Sequence, residues 1–318
     1  MKGRYEAVLM VGFGGPTRPD EIRPFLQNVA RGRPIPPARL EEVAHHYQAI
    51  GGRSPYNELV MKQADALRAL LAEAGAALPV YVGMRNWAPY VKDVIREIAG
   101  AGARRIFCFP MAPHRSEASW DRYRQTVAEA LADAGSSAPA AGYPEPWHDH
   151  PLFVRAVASR VADSLESLTA AERSRVQVIF TAHSIPAAMD AQSRYSAQIA
   201  ESCRLVARQL GLERWTLAYQ SRSGNPRDPW LEPDVNEVLR GLAGRSAVVA
   251  PVGFICDHVE VLYDLDIETA SIARASGVTM RRAATVGDHP LFIRMIAELL
   301  GRARIADGGV SSAPQRPL

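Results

Sequence analysis

Short apolar runs alternate with longer stretches of mixed polarity along most of the chain. The short runs are rich in β-branched and aromatic residues, as buried strands are, and they lie at residues 7–11, 80–83, 106–110, 176–181, 216–219 and 247–251. The longer stretches space their apolar residues as helices do, at 22–29, 60–74, 90–99, 120–132, 197–210, 234–242, 259–275 and 291–300. Strands that alternate with helices form parallel sheets covered by helices. The pattern therefore predicts an α/β fold.

The sequence also repeats itself. Asp149-His150-Pro151-Leu152-Phe153 returns 139 residues later as Asp288-His289-Pro290-Leu291-Phe292, and weaker echoes, such as Pro110 with Pro251, keep nearly the same offset. We therefore predict two similar domains, at residues 1–145 and 146–306, joined near the Ala/Pro/Gly-rich segment 134–146. Residues 307–318 are rich in Gly, Ser and Pro, which predicts a disordered tail.

Composition narrows the class of protein. The chain has 318 residues, of which 47% are hydrophobic and 22% charged, so a large folded core is expected. A net charge of +3 without a dense Lys/Arg run favours an anionic small molecule over nucleic acid. The three cysteines have no CxxC spacing, which argues against a disulfide framework, a structural zinc and an iron–sulfur cluster. Since neither a signal peptide nor a transmembrane run is recognisable, we expect a cytoplasmic protein.

Carboxylates recur along the segment 259–275. Glu260, Asp264 and Glu268 are spaced at i, i+4 and i+8, which on a helix places them in a row on one face. A row of this kind is often a solvated face. Here, however, the intervening residues are mostly apolar, so the helix should be buried, and buried carboxylates are costly unless a cation meets them. The pattern favours a row of metal-binding carboxylates.

One histidine stands where ligands commonly bind. His183 follows the predicted strand 176–181, and ligands of open α/β sheets bind just beyond the carboxyl ends of strands. A lone histidine is more often a hydrogen-bonded core or loop residue. Imidazole and carboxylate together nevertheless suit a borderline divalent metal.

A glycine-rich stretch, Gly12-Phe13-Gly14-Gly15-Pro16, follows the first strand. It lacks the third glycine of the dinucleotide-binding fingerprint, because Thr17 stands there, and no acidic residue clearly ends a second strand. A nucleotide site is therefore disfavoured. We expect these glycines to let a flat ligand approach the backbone closely.

From about Val8 to Leu300 the chain resembles the ferrochelatases, enzymes that insert ferrous iron into a porphyrin. The motifs that carry the resemblance are Gly14-Gly15-Pro16, Tyr47-Gln48-Ala49-Ile50-Gly51-Gly52-Arg53-Ser54-Pro55, Tyr81-Val82-Gly83-Met84-Arg85, Ala182-His183-Ser184-Ile185-Pro186, Gln220-Ser221-Arg222-Ser223-Gly224, Pro229-Trp230-Leu231-Glu232-Pro233 and the stretch from Pro251 to Glu260. The resemblance implies two Rossmann-like, chelatase-type domains with the active cleft between them. It further implies porphyrin-lining loops in the first domain and the metal site in the second.

The resemblance also implies roles for individual residues. It implies that His183 and Glu260 form the catalytic pair and the metal site. It also implies that Asp264 and Glu268 continue an acidic path for the metal. Residues matching positions that line the macrocycle or hold its propionates are Phe13, Arg31, His46, Tyr47, Ser54 and Tyr123. For Arg31, a solvated loop charge is an equally good interpretation. A porphyrin loses two pyrrole protons as iron enters, so a base that can be neutral near pH 7 is useful, and histidine fits.

The residues of these motifs look like those of the bacterial branch of the family, which acts on coproporphyrin III. The implied reaction gives Fe-coproporphyrin III in haem b biosynthesis. Alternatives are a protoporphyrin IX ferrochelatase, another tetrapyrrole chelatase and a non-catalytic porphyrin or haem carrier. We expect Fe²⁺ as a substrate, no cofactor and no [2Fe–2S] cluster, a monomer, and a downstream coproheme-processing enzyme as partner.

Three positions depart from the pattern of the coproporphyrin-type relatives. Many of these have an iron-ligating tyrosine where Phe13 stands, and they often have arginine at the places of Ala30 and His46. The departures put the axial ligand of the product and part of the propionate clamp in question.

Overall fold

The computed structural model describes residues 4–32, 35–223 and 227–306. The predicted tail at 307–318 and Gly224 of the fifth motif lie outside them. The first half contains a parallel sheet of four strands: β1 (Ala7–Gly12), β2 (Val80–Met84), β3 (Arg105–Pro110) and β4 (Ala140–Gly142). Their order across the sheet is β2-β1-β3-β4.

The second half repeats this arrangement. Its parallel strands are β5 (Val176–His183), β6 (Trp215–Gln220), β7 (Ser246–Ala250) and β8 (Thr279–Arg282), in the order β6-β5-β7-β8. Each sheet therefore places its first strand second in the order and its third and fourth strands beyond it. The predicted fold class, two similar Rossmann-like domains, is confirmed.

Helices cover both sheets. They are α1 (Ile22–Ala30), α2 (Pro37–Ala49), α3 (Tyr56–Glu73), α4 (Val91–Gly100), α5 (Arg122–Ala134), α6 (Pro151–Glu166), α7 (Ala170–Arg173), α8 (Ala187–Ser193), α9 (Tyr195–Leu210), α10 (Val235–Arg240), α11 (Val259–Leu262), α12 (Ala270–Ala275) and α13 (Pro290–Ala306). Two π-helical segments, Glu117–Asp121 and Asp264–Thr269, precede α5 and α12. No described helix has the length and apolar character needed to cross a membrane.

The repeated five-residue motif has the same structural role in both halves. In each copy the histidine Nδ1 accepts a hydrogen bond from a backbone N–H two residues on: His150 from Leu152 at 3.3 Å, and His289 from Leu291 at 3.2 Å. The proline that follows each histidine opens the helix, where its missing N–H costs nothing. The motif is thus a helix start for α6 and α13.

The last helix connects the two halves. Although α13 follows the second sheet, it packs against α3 of the first half and against α6. At this junction Trp147, which is 1% exposed, stacks on Phe109 of β3 with ring centroids 5.3 Å apart and also meets Phe292 of α13 at 5.8 Å. The boundary predicted at residue 145 falls in the loop between β4 and α6.

We expect Phe292→Ala to destabilise the protein strongly. Removing a fully buried phenyl ring from this junction leaves a cavity, and such changes cost about 3–5 kcal/mol. Urea unfolding should show a lower midpoint for the variant. Met61→Ala, at a side chain that is 37% exposed, is the control and should shift the free energy of unfolding by no more than about 0.5 kcal/mol. Equal effects of the two substitutions would contradict the assignment of Phe292 to the core.

Candidate active site

His183 is the last residue of β5, which runs two residues beyond the end predicted at 181, and both of its ring nitrogens have partners. Nδ1 contacts the carbonyl oxygen of Ser184, and Nε2 faces the Glu260 carboxylate at 3.4 Å. The Tyr195 hydroxyl donates to the His183 carbonyl at 3.2 Å and fixes the backbone. The contact of Nδ1 with a carbonyl oxygen requires the proton on Nδ1, so Nε2 is the atom directed at the carboxylate.

His183 and Glu260 strongly shift each other's pKa. Burial lowers the pKa of His183, but the charge of Glu260 and the hydrogen bond to it outweigh burial and raise this pKa to about 9. Burial raises the pKa of Glu260, whereas the His183 charge brings it down to about 2. The neighbouring carboxylate therefore favours the protonated form of His183. The role of His183 as a base that can be neutral near pH 7 stays a prediction.

The acidic segment is not the continuous α-helix predicted over 259–275. The α-helical turn α11 ends at Leu262, and in the π-helical turn after it the Glu268 N–H donates to the Tyr263 carbonyl oxygen, five residues back, at 2.9 Å. An inserted π turn shifts the spacing of side chains relative to an α-helix. The three carboxylates therefore do not lie along one continuous α-helical face.

The three carboxylates nevertheless influence one another. Burial raises the pKa of Asp264 to about 7, a hydrogen bond from Ser221 opposes this, and the charges of Glu260 and Glu268 add to the rise. Glu260 and Asp264 are half-buried and Glu268 is exposed. Glu268 thus lies at the solvent end of the acidic group, and Glu260 lies beside His183.

Residues at the carboxyl end of the neighbouring strand β6 hold this segment in place. The Gln220 amide donates to the Glu260 carbonyl oxygen at 2.5 Å, and the Ser221 hydroxyl donates to the Asp264 carboxylate. Ser221 has a φ of 62°, a left-handed conformation that is unusual for a residue other than glycine. His258 caps α11 by accepting from the Glu260 N–H at 3.2 Å.

Sequence reasoning assigned no site role to Gln220, Ser221 or His258. A usable signal existed: Gln220 and Ser221 lie at the carboxyl end of β6, beside His183 in the register of the sheet.

The four residues predicted to bind metal do not form a closed cage. Among the described residues, no group of three or more His, Cys, Asp or Glu side chains has a geometry that could hold a metal ion.

Two predicted porphyrin-lining tyrosines lie in the first half and are buried. Tyr47 of α2 and Tyr123 of α5 are each 5% exposed. Burial raises the pKa of both phenols, and the Glu260 charge raises each further. The edge of the Phe25 ring packs between Phe13, at 6.3 Å, and Tyr47, at 6.0 Å between centroids.

The remaining predicted substrate residues differ in environment. His46 stacks on Tyr263, with ring centroids 3.7 Å apart, and so joins α2 to the acidic segment. Ser54 is buried, and its hydroxyl accepts from the Tyr56 N–H at 3.3 Å. Arg31 is exposed at the end of α1 and donates to the Asn28 side chain at 3.1 Å. Their binding roles stay predictions.

The glycine-rich stretch packs against protein. Gly14 has a φ of +87°, and a Cβ there would lie 3.0 Å from the Met84 Cβ and 3.1 Å from the Trp87 backbone nitrogen. Close packing within the first half is therefore sufficient to explain why a glycine stands at this position.

All three cysteines, Cys108, Cys203 and Cys256, are buried and unpaired with one another. The predicted lack of an iron–sulfur cluster stays a prediction.

The fold is similar to that of two solved bacterial proteins. The solved structure of SirB from Bacillus subtilis with Fe³⁺ matches with a TM-score of 0.59 and 13% identity, over 95% of this chain and 95% of that one. CbiX, described as the terminal enzyme for biosynthesis of siroheme in denitrifying bacteria, matches with a TM-score of 0.53 and 15% identity, over 93% and 99% of the two chains. At these identities the similarity concerns the fold alone.

Sequence relatives are much closer. A coproporphyrin III ferrochelatase from Nocardia farcinica is 43% identical over 306 residues, 93% of this chain and 87% of that protein. A ferrochelatase from Rhodopirellula baltica is 40% identical over 300 residues, 93% and 85% of the two chains. The sequence model of the family described as Ferrochelatase matches residues 5–304. The chain therefore belongs to the ferrochelatase family.

Proposed function

We propose that the protein inserts Fe²⁺ into coproporphyrin III and releases Fe-coproporphyrin III, a step of haem b biosynthesis. The observation that carries the proposal is the ion pair of His183 and Glu260 at the carboxyl end of β5, next to the half-buried Asp264. A non-catalytic carrier has no need of an imidazole paired with a carboxylate beside further carboxylates. The name and the identity of the Nocardia relative support the choice of porphyrin.

The ion pair supplies a means of coupling metal arrival to proton transfer. The Glu260 charge is what keeps His183 protonated, so a divalent cation bound to Glu260 lowers the pKa of the imidazole. His183 then gives up its Nε2 proton to water and becomes a base for a pyrrole N–H. Two pyrrole protons leave as the iron–nitrogen bonds form: Nε2 accepts the first, releases it to water and then accepts the second.

The acidic residues act as a path for iron towards this pair. Glu268 is exposed, Asp264 is half-buried, and Glu260 is at the imidazole, so a hydrated cation meets carboxylate oxygens at each stage. Carboxylates replace water ligands of a divalent ion without a large loss of electrostatic energy. Buried carboxylates in turn become more stable when a cation neutralises them.

The substrate is tested by anaerobic incubation of the protein with Fe²⁺ and either coproporphyrin III or protoporphyrin IX, followed by absorbance. We expect a higher kcat/KM for coproporphyrin III. A preference for protoporphyrin IX would identify the other branch, and binding of either porphyrin without metal insertion would identify a carrier. Action as a monomer in the cytoplasm and transfer of the product to a coproheme-processing enzyme are further parts of the proposal.

We expect His183→Ala to lower kcat for iron insertion by about 100-fold or more, the range lost when a general base is removed. Quenching of intrinsic fluorescence by coproporphyrin III should still report binding, since His183 lies at a strand end outside the core clusters. His45→Ala is a matched control, because this histidine is exposed on α2. An unchanged insertion rate for His183→Ala would remove His183 from the mechanism.

The acidic residues should differ in the kinetic parameter they affect. Glu260→Gln should lower kcat, because Glu260 acts at the imidazole, whereas Asp264→Asn and Glu268→Gln should mainly raise the iron KM. When an interaction that only helps to bind the metal is lost, KM rises and kcat does not change. Glu58→Gln, an exposed residue of α3 paired with Lys62, is the control. Normal iron kinetics in all three variants would mean that the carboxylates are only a solvated face.

The raised pKa of Asp264 should appear as a pH dependence of stability in the metal-free protein. The folded state keeps a proton on Asp264 up to about pH 7, whereas the unfolded chain loses it near its ordinary value of 3.8. The free energy of unfolding therefore falls as pH rises between these values. For Asp264→Asn, the free energy of unfolding measured with urea should lack this part of its decline with rising pH. Parallel curves for wild type and variant would contradict the prediction.

Phe13 should determine how the product iron is ligated. A phenyl ring offers no oxygen, so the ferric product complex of the wild type should lack the resonance Raman signature of tyrosinate. Phe13→Tyr should introduce it. A phenolate–iron band in the wild type would show that another tyrosine serves as ligand.

A further inference from the structure

Arg282, the last residue of β8, bridges two carboxylates of the acidic segment. Its guanidinium donates to Asp266 through Nε at 2.7 Å and through Nη2 at 2.9 Å. It also donates to Asp257 through Nη1 at 3.3 Å and through Nη2 at 3.1 Å. The arginine therefore contacts both oxygens of both carboxylates, the two-pronged geometry that only a planar guanidinium provides.

The two aspartates lie on either side of two predicted metal residues, Glu260 and Asp264. Asp257 precedes His258 and Glu260, and its carboxylate also accepts from the Thr285 hydroxyl at 3.0 Å. Asp266 lies in the π-helical turn, two residues after Asp264. One side chain from β8 thus holds both ends of a short stretch that has Glu260 and Asp264 in its interior.

The environment makes this bridge stronger than a surface ion pair. The side chains of Arg282, Asp257 and Asp266 are 16%, 24% and 34% exposed. Partial burial reduces screening by water, and loss of one partner would leave two half-buried carboxylates without their cation. These carboxylates would then repel Glu260 and Asp264, and the π turn would lose one of the contacts that tie it to the sheet.

We infer that Arg282 is a positioning residue for iron insertion, which rests on the proposed function. By fixing Asp257 and Asp266, it keeps Glu260 opposite His183 while Asp264 stays hydrogen-bonded to Ser221. Its effect on the reaction passes through these carboxylates. Arg282 has no role as a ligand of iron or porphyrin.

The test compares Arg282→Met, Arg282→Lys and Arg281→Met in steady-state insertion of Fe²⁺ into coproporphyrin III. Arg281 is the matched control, since it is adjacent on the same strand and exposed. Arg282→Met should raise the iron KM by about tenfold, the size of effect seen when a residue supporting a metal site is removed. It should also lower kcat, and its porphyrin KM should stay unchanged. Arg282→Lys, which keeps the charge but not the fork, should lie between Met and wild type.

Other outcomes would overturn the inference. If Arg282→Met lowers the thermal unfolding midpoint but leaves the iron KM and kcat normal, the bridge only stabilises the fold. If the substitution fails to fold, the Lys variant decides, and a normal iron KM there would likewise overturn the inference. If wild type itself inserts no iron, the proposed function fails.

A double variant separates positioning from direct ligation. If Arg282 acts through Asp266, then Asp266→Asn and Arg282→Met should have non-additive effects on the iron KM. Additive effects would contradict the bridge as the route of action.

Discussion

His183 and Glu260 belong to distant parts of the sequence, and they meet because β5 and β7 are neighbours in the second sheet. The chain leaves β7 and passes over the end of β5 before it begins α11. This passage is tight: the Gly253 N–H donates to the Thr181 carbonyl oxygen at 3.0 Å, and a Cβ on Gly253 would lie 2.6 Å from the Ala182 Cβ. Without glycine there, the loop would be pushed away from the strand, and Glu260 would be withdrawn from the imidazole.

A charged pair in this position needs support from its surroundings, because partial burial makes every misplaced carboxylate costly. The support comes from two strands. Residues at the end of β6 hold the Glu260 carbonyl oxygen and the Asp264 carboxylate, and β8 supplies Arg282. The left-handed backbone of Ser221 is a strained conformation that costs about 1–3 kcal/mol and persists where the surroundings enforce it. Here it places the hydroxyl on Asp264.

How much of this was visible in the sequence depended on the range of the interaction. Buried strands of pure apolar character and the position of His183 could be predicted, because strand patterns and strand ends are local. The helix α2 was missed, since Pro37–Ala49 mixes charged and apolar residues with little periodicity, and β8 was missed because Thr279–Arg282 is short and partly exposed. The π turn and the Arg282 bridge could not be predicted, because they depend on contacts between strands far apart in the chain.

The duplicated architecture assigns different chemistry to equivalent places. The strand second in each sheet order ends at Gly12 in the first half and at His183 in the second. After Gly12 the chain continues through Phe13 and Gly14 into close packing with β2 and the aromatic rings around Phe25. In the first half this strand end is therefore followed by apolar and aromatic packing, and in the second it is joined by an imidazole with carboxylates. In the proposed reaction, the exchange of protons for iron therefore belongs to the second half.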